Sequence, residues 1–249
     1  MLKDHQDAFG HEIDDYFKSK TGWEIIERDD GYIDASSGPK AYFTEYKDWH
    51  PHEKKAMRYA RGRVLDIGCG AGRHSLYLQG KGLQVLGIDN SPLAIEVCKL
   101  RGLKNAKVTA ISQINAKLGV FDTILMLGNN FGLFGSFEVA RRLLTKLSKI
   151  TSENGRIIAE SNDIYKTEIP EHLSYHEFNR KRGKMPGQIR LRVRYKKYAT
   201  PWFDYLLVSK EEMENLLDGT DWGVNRFIDS ESSPYIAIID RKKLYGEQR

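Results

Sequence analysis

Residues 64–72 read Val-Leu-Asp-Ile-Gly-Cys-Gly-Ala-Gly, an apolar run that breaks into three glycines at every second position. Asp66 stands two residues ahead of the first glycine. A second acid, Asp89, closes the next apolar run of Leu83, Val85, Leu86 and Ile88, 23 residues after Asp66. A strand, a glycine turn, a helix and a second strand ending in a carboxylate form the layout of a site for a ribose-bearing cofactor. Glycine belongs in such a turn because the backbone must take tight or positive-φ conformations and leave room for ligand atoms.

The glycine spacing says which cofactor. A dinucleotide fingerprint runs Gly-x-Gly-x-x-Gly and seats a pyrophosphate on a helix N-terminus. Here the pattern is Gly68-x-Gly70-x-Gly72, followed by Arg73. A carboxylate at Asp66 would repel a pyrophosphate but would suit an ammonium group. S-adenosylmethionine carries an ammonium, a sulfonium and a ribose, and no phosphate. Asp89 is positioned to accept hydrogen bonds from both ribose hydroxyls, at about 1.5–3 kcal/mol each as charge-assisted bonds. The glycines alone would suit any tight loop; Asp66, Asp89 and the flanking strand pattern together favour the cofactor.

The stretch from Arg63 to Asp89 resembles motif one and the second-strand acid of class I S-adenosylmethionine-dependent methyltransferases. The resemblance covers roughly residues 60 to 160, and the C-terminal 40 residues more loosely. It implies a Rossmann-like α/β sheet with helices on both faces and an antiparallel last strand. It also implies S-adenosyl-L-methionine as cofactor and S-adenosyl-L-homocysteine as product. The matching cofactor-binding positions are Asp66, Gly68, Cys69, Gly70, Gly72, Asp89, Asn90, Ser112 and Asn129. Where the family often carries an acid near the adenine amine, this chain reads Ala110-Ile111-Ser112-Gln113, so backbone groups or the Ser112 and Gln113 side chains must serve. After the fourth strand, Leu127-Gly128-Asn129-Asn130-Phe131-Gly132 is not the Asn/Asp-Pro-Pro-aromatic tetrad of enzymes that methylate exocyclic amines of bases or glutamine. The paired cysteines of cytosine C5 methyltransferases are also absent from the sequence.

Composition bounds the rest. A chain of 249 residues suits one enlarged α/β domain. No apolar run approaches the roughly 20 residues of a membrane span, and Met-Leu-Lys-Asp-His-Gln-Asp lacks a signal-peptide core, so a cytoplasmic protein is expected. Cys69 and Cys98 have neither metal-site nor disulfide spacing; no metal is expected. A net charge of +5 permits an anionic partner, and Arg180 to Lys197 holds a dense share of the positives.

Along the chain, Phe9, Ile13, Tyr16 and Phe17 predict a helix over 6–19, and Asp29-Asp30-Gly31 a hairpin turn; with the aromatic stretch Tyr42, Phe43, Tyr46 and Trp49 they make residues 1–60 a candidate lid. Residues 51–60 read as the helix leading into the first core strand. Core strands are expected at 62–67, 83–89, 106–111, 121–127 and 156–161, and helices at 72–80, 92–101 and 136–150. Asn154-Gly155 is read as the turn into the fifth strand. A capping box at Ser209 opens a helix to about Leu217, and strands at 223–228 and 234–240 close the chain as an antiparallel pair. The core is thus 61–161 and 209–249.

Between them, residues 162–208 form a β-rich insertion at the carboxyl edge of the sheet, where ligands bind in open α/β folds. Ile189, Leu191, Val193 and Tyr195 alternate with Arg190, Arg192, Arg194 and Lys196, and the chain is expected to return antiparallel after Thr200-Pro201. The pattern reads as a substrate cap with Tyr165, His176, Arg192 and Trp202 as pocket residues, the arginines gripping an anionic group; a solvated strand face is the alternative. His172, His176, Tyr165, Tyr175 and Glu177 cluster at its start, and either histidine is a natural proton acceptor. Methyl transfer needs alignment and exclusion of water more than acid-base chemistry, so the acceptor atom and any catalytic base stay unassigned. A small-molecule acceptor is favoured, with nucleic acid or protein as alternatives. A nicotinamide oxidoreductase and a non-catalytic cofactor-binding protein are the rivals from other classes.

Overall fold

The computed structural model describes residues 2–35 and 38–242. In chain order its elements are α1 (Ala8–Ser19), β1 (Ile25–Arg28), β2 (Ile33–Ala35), α2 (Pro51–Met57), β3 (Arg63–Ile67), α3 (Arg73–Gly80), β4 (Gln84–Asp89), α4 (Pro92–Leu100), β5 (Ala106–Val108), β6 (Phe121–Met126), α5 (Phe137–Ser148) and β7 (Thr151–Asn162). They continue with α6 (Pro170–Lys181), β8 (Gln188–Tyr195), β9 (Tyr198–Ala199), β10 (Phe203–Leu206), α7 (Lys210–Leu217), β11 (Trp222–Asp229) and β12 (Pro234–Arg241).

The central sheet runs β11-β12-β7-β6-β3-β4-β5. β7, β6, β3, β4 and β5 are parallel, while β12 pairs antiparallel with both β7 and β11. This is the Rossmann-like sheet with an antiparallel last strand that the sequence implies. Alternation along the strands divides the apolar residues between two cores. Leu65, Ile67, Ile124, Ile157 and Ile239 pack with Leu143 and Leu144 of α5 and Met213 and Leu216 of α7. Val64, Leu125, Ile158 and Ile238 pack on the other side with Trp49, with Ala56 and Met57 of α2, and with Leu78 of α3. Both faces are buried, as the near-continuous apolar runs of parallel strands require.

Local signals set most boundaries. Ser91, Ser136 and Ser209 each accept a backbone N–H as N-caps of α4, α5 and α7, with Pro92 at the first position of α4 and a full capping box at Ser209. Asn154-Gly155, read from sequence as a turn, instead belongs to a long β7: Phe121 pairs with Thr151 and Thr123 with Arg156, so Ser152–Gly155 bulge opposite a single residue. The third core strand is shorter than expected, ending at Val108 before a helical turn at Ile111–Gln113.

A second sheet, β10-β8-β1-β2 with β9 beside β8, covers one end of the first. Residues 1–60 and 162–208 are therefore joined, because β1 of the first segment pairs antiparallel with β8 of the second. The β8 reversal falls at Lys196–Lys197, where Tyr195 faces Tyr198 and Lys196 takes φ 51°, rather than at Thr200-Pro201. The insertion also carries α6, which its polar sequence does not announce.

Helix α1 is clamped between this sheet and the core. Ile13 and Phe17 pack against Ala94 and Val97 of α4, while the Asp15 carboxylate accepts from Tyr195 Oη at 2.8 Å and Lys196 Nζ at 2.6 Å. At its start, buried Asp7 accepts from Gly10 N at 3.0 Å and, through the other oxygen, from Ser91 Oγ at 2.8 Å and Leu93 N at 3.3 Å. One carboxylate thus caps two helices. Replacing Asp7 with alanine is expected to cost about 2 kcal/mol. Urea unfolding checks this, and an unchanged midpoint would show that α1 docks without the shared cap.

Candidate active site

β3 and β4 end side by side, and their loops meet at one carboxylate. Gly68 N and Cys69 N donate to Ile88 O at 2.8 and 3.1 Å, which folds the glycine loop back over the end of β4. Asp89 Oδ2 accepts from Gly70 N at 3.0 Å and its Oδ1 from Ser91 N at 2.9 Å. A carboxylate offers about four lone-pair positions, so each Asp89 oxygen keeps capacity for a ligand donor. Burial pushes this carboxyl up to about 6, against the two N–H groups that pull it down.

The loop needs glycine at two positions for separate reasons. Gly68 takes φ 71°, and a Cβ there would lie 2.6 Å from Asn130 Nδ2, the amide that donates to Ile67 O and Gly68 O and ties in the loop after β6. Gly70 takes φ 53°, the left-handed conformation that favours glycine, and a Cβ there would rest in ordinary contact with the Tyr42 ring at 3.7 Å. Just beyond the loop, Arg73 Nη2 and His74 Nε2 reach Glu53 Oε1 at 2.6 and 3.3 Å. Burial would raise the Glu53 carboxyl, but His74, Arg73 and the His50 N–H outweigh it and hold it down at about 2.

From this loop a cleft of about 1320 Å³ opens toward the second sheet. It exceeds the roughly 300–1,000 Å³ of a single small-molecule site, leaving space for two ligands. Gly68, Cys69, Gly70, Asp89, Asn90, Ser112 and Asn129 all line it, as the sequence reading requires of a cofactor set. Asn129 adopts φ 61° and its carbonyl accepts from Tyr205 Oη at 2.6 Å, while its buried Oδ1 has no donor. Two predicted residues stand behind the wall. Asp66 is turned onto Ser75 Oγ at 2.6 Å, with burial raising its carboxyl, and Gly72 is the N-cap of α3, its α-carbon close to Cys98. Asp66 therefore braces the loop and does not reach the ligand space.

The substrate residues divide by strand parity. Ile26, Ile189, Leu191, Val193, Phe203 and Tyr205 share the cleft face of the second sheet, as cross-strand pairs Ile26–Val193, Leu191–Phe203 and Ile189–Tyr205. Arg192 lies on the opposite face, correcting its assignment to the pocket. It forms a bidentate pair with Glu27 at 2.8 and 3.0 Å and stacks on Trp202 with Cζ 4.7 Å from the ring. Arg194 shares Glu27 at 3.0 Å, and Arg190 pairs with Asp204 at 3.3 Å. Two local acids thus partner the three arginines of this face, which sequence alternation could not reveal. Trp202 goes with Arg192, away from the cleft lining. Tyr165 is half exposed and donates to Glu212 Oε1 at 2.8 Å, also outside the cleft. His176 does line the cleft, with burial and then Arg180 pulling its imidazolium down, so it is neutral at physiological pH. Cleft residues that sequence reading missed include Glu24, Tyr42 as a pocket wall, and Tyr205. Glu24 shares the parity of Ile26 and Arg28, which a two-residue period would have shown once β1 was known to be a cap strand.

Comparison with known proteins agrees with this geometry. A family model described as a methyltransferase domain matches residues 64–155. A crystal structure of an S-adenosylmethionine-dependent methyltransferase from Bacteroides fragilis, in complex with S-adenosyl-L-homocysteine, superposes with a TM-score of 0.82 at 27% identity, covering 97% of this chain and 98% of that one. Residues 64–155 thus match a methyltransferase domain, and the whole chain is similar to an S-adenosylmethionine-dependent methyltransferase. The CcbJ methyltransferase of Streptomyces caelestis shares the fold at 12% identity, with a TM-score of 0.60 over 96% of this chain and all of that one. A carboxy-S-adenosyl-L-methionine synthase from Vibrio campbellii is 26% identical over 132 residues, 48% of this chain; the match spans about half of that relative's length, 53%.

For this methyltransferase the Asp89 carboxyl gives a pH test. Its folded value of about 6 lies above the ordinary 3.8, so the protonated form is favoured in the folded protein. That contribution to stability is complete below 3.8 and is lost as pH rises through 6. Ribose hydroxyls need the ionised form. Affinity for S-adenosylhomocysteine should therefore be level above pH 7 and fall as pH drops through about 6, approaching tenfold per unit. Asp89→Asn should be weak and nearly flat. Calorimetry showing the wild-type affinity constant down to pH 5 would remove Asp89 from ribose binding.

Proposed function

We propose that this enzyme transfers the methyl group of S-adenosylmethionine to a small-molecule acceptor enclosed between the glycine loop and the cap sheet. One observation carries the reading: a single cleft is continuous from Asp89 and Gly70 to the apolar face of β8 and β10, and it is large enough for cofactor and acceptor together. When bound, the cofactor supplies an electrophilic methyl group on a sulfonium. The residues present fit it. Asp89 has lone pairs left for two hydroxyls, Gly70 presents bare backbone to the cleft, and Thr109 to Ser112 offer backbone and hydroxyl groups where adenine would lie. Residues 1–60 and 162–208 act as one cap in this reading, since their strands share a sheet.

The chain contributes position and dryness. The apolar walls of Phe9, Ile26, Leu191 and Phe203 exclude water from the line of attack. His176 sits in the cleft as a neutral imidazole, a proton acceptor for an acceptor group that must lose one. A nucleic-acid substrate is disfavoured, because the arginine strand faces away from the cleft and is paired with Glu27 and Asp204. The reading places the enzyme in the cytoplasm, where its buried thiols Cys69 and Cys98, 3.9 Å apart, stay reduced. Among the described residues no helix is long and apolar enough to cross a membrane.

Thermal unfolding with S-adenosylhomocysteine and with NADH tests the cofactor. The first should stabilise by about 2.7 kcal/mol at a hundredfold excess over its dissociation constant, and NADH should do nothing. Stabilisation by NADH alone would overturn the reading. Metabolite fractions screened for S-adenosylhomocysteine formation then identify the acceptor. Arg192→Gln and Arg194→Gln should leave turnover of that acceptor within about twofold, because exposed pairs of this kind contribute under about 1 kcal/mol. A tenfold loss in either would return the cationic face to the substrate site.

A further inference from the structure

A buried carboxyl in the cleft wall, and a second one behind it, have no cation among the described residues. Glu12 of α1 is fully buried, and Glu24, just ahead of β1, is 3% exposed and lines the cleft. Both Glu12 oxygens and Glu24 Oε2 are sealed from solvent with no donor from outside these two residues, and among the described residues no lysine, arginine or histidine pairs with either group. The two carboxyls meet each other. Burial first, and then the neighbouring Glu24, push Glu12 up to about 10, so Glu12 keeps its proton at neutral pH and presents it to Glu24.

Such a pair is costly to bury and adds nothing to packing that an apolar pair would not supply. The fold nonetheless builds a housing for it. Gly22 is held so close that a Cβ would lie 2.8 Å from Pro39 Cγ and 3.1 Å from Glu12 Cγ. Tyr42 forms the side toward the cofactor loop: its hydroxyl is pushed well up by burial and then by the Glu24 and Glu12 charges, while its ring edge lies 3.7 Å from the position of a Gly70 Cβ. The carboxyl pair is thus across Tyr42 from the glycine loop, in the part of the cleft walled by Phe9, Ile13 and Ile26. A carboxylate in the wall of a ligand cavity, with no cation of its own among the described residues, is matched by an ammonium, which brings both donors and the balancing charge.

We infer that Glu24, backed by Glu12, is the anchor for a protonated amine on the methyl acceptor. The Glu24 carboxylate accepts the amine N–H, and the aromatic and aliphatic walls take the hydrophobic body of the ligand. The ammonium balances the charge of Glu24, and Glu12 keeps its proton behind it. This inference rests on the methyl-transfer reading and narrows its acceptor to amines.

The test uses the full chain loaded with S-adenosylhomocysteine. Benzylamine, phenethylamine, tyramine and their N-methyl forms are titrated beside the matching alcohols and carboxylic acids. Binding is expected for members of the amine series, at least tenfold tighter than the matched alcohol. Glu24→Gln should lower amine affinity tenfold or more, while S-adenosylhomocysteine affinity stays within twofold. Glu12→Gln, which keeps a neutral side chain behind Glu24, should cost less. The amine-over-alcohol preference of the wild-type protein does not depend on either variant folding. Absence of binding by every amine, or equal binding of the alcohols, overturns the inference. So does a Glu24→Gln protein that loses S-adenosylhomocysteine itself, since the pair would then serve the cofactor's ammonium. Failure of the wild-type protein to bind S-adenosylhomocysteine is a separate result, and it would overturn the methyl-transfer reading instead.

Discussion

The Asp89 carboxylate holds the site together. It ends β4, accepts the Gly70 N–H from the loop after β3 and the Ser91 N–H that begins α4, and keeps two lone-pair positions toward the cleft. Ser91 passes the connection outward, because its hydroxyl both caps α4 and donates to Asp7, the N-cap of α1. Four elements far apart in sequence thereby meet at two carboxylates. The ligand-facing oxygens are fixed by backbone donors rather than by a flexible cation, and such preorganisation reduces what binding must spend on ordering the site.

Electrostatics then divide the second sheet into two faces. Glu27 is shared by Arg192 and Arg194 on one side, which partly offsets the positive charge of a partly solvated surface. On the cleft side, apolar cross-strand pairs are interrupted at opposite ends of β1 by Glu24 and Arg28. Arg28 is neutralised by Asp30 and sandwiched against Tyr32 and Tyr175 at 4.6 and 4.2 Å, while among the described residues Glu24 has no cation beside it. Glu27 and Asp204 on the same sheet each meet an arginine, and this contrast is why the unmatched carboxyl directs attention to a ligand.

Much of the core was legible in the chain, for local reasons. Three glycines and two acids at fixed offsets define a turn that few backbones can make, and each N-capping serine acts on the residue three positions ahead of it. Near-continuous apolar runs separated by amphipathic helices leave a parallel sheet as the arrangement that buries them. Even so, a local signal can be overruled. Asn154-Gly155 carries turn chemistry, yet pairing with β6 and β12 on either side draws it into a bulge within β7.

By itself, the sequence determined the cofactor loop, the parallel core with its antiparallel last strand, and Asp89 at the site, because these follow from glycine conformations, strand period and caps that act over a few residues. Only the tertiary structure decided which way the cap strands face. Alternation says that Arg190, Arg192 and Arg194 share a side, but it cannot say which side is the cavity; that depends on β1, about 165 residues earlier in the chain, supplying Glu27 to one face and Glu24 to the other. Asp66 passed from expected ligand contact to buried brace for the same reason, since its direction is set by Ser75 on the helix packed above it. Contacts between distant segments carry no periodic signature, and they settle which acids are paired and which are left for a ligand.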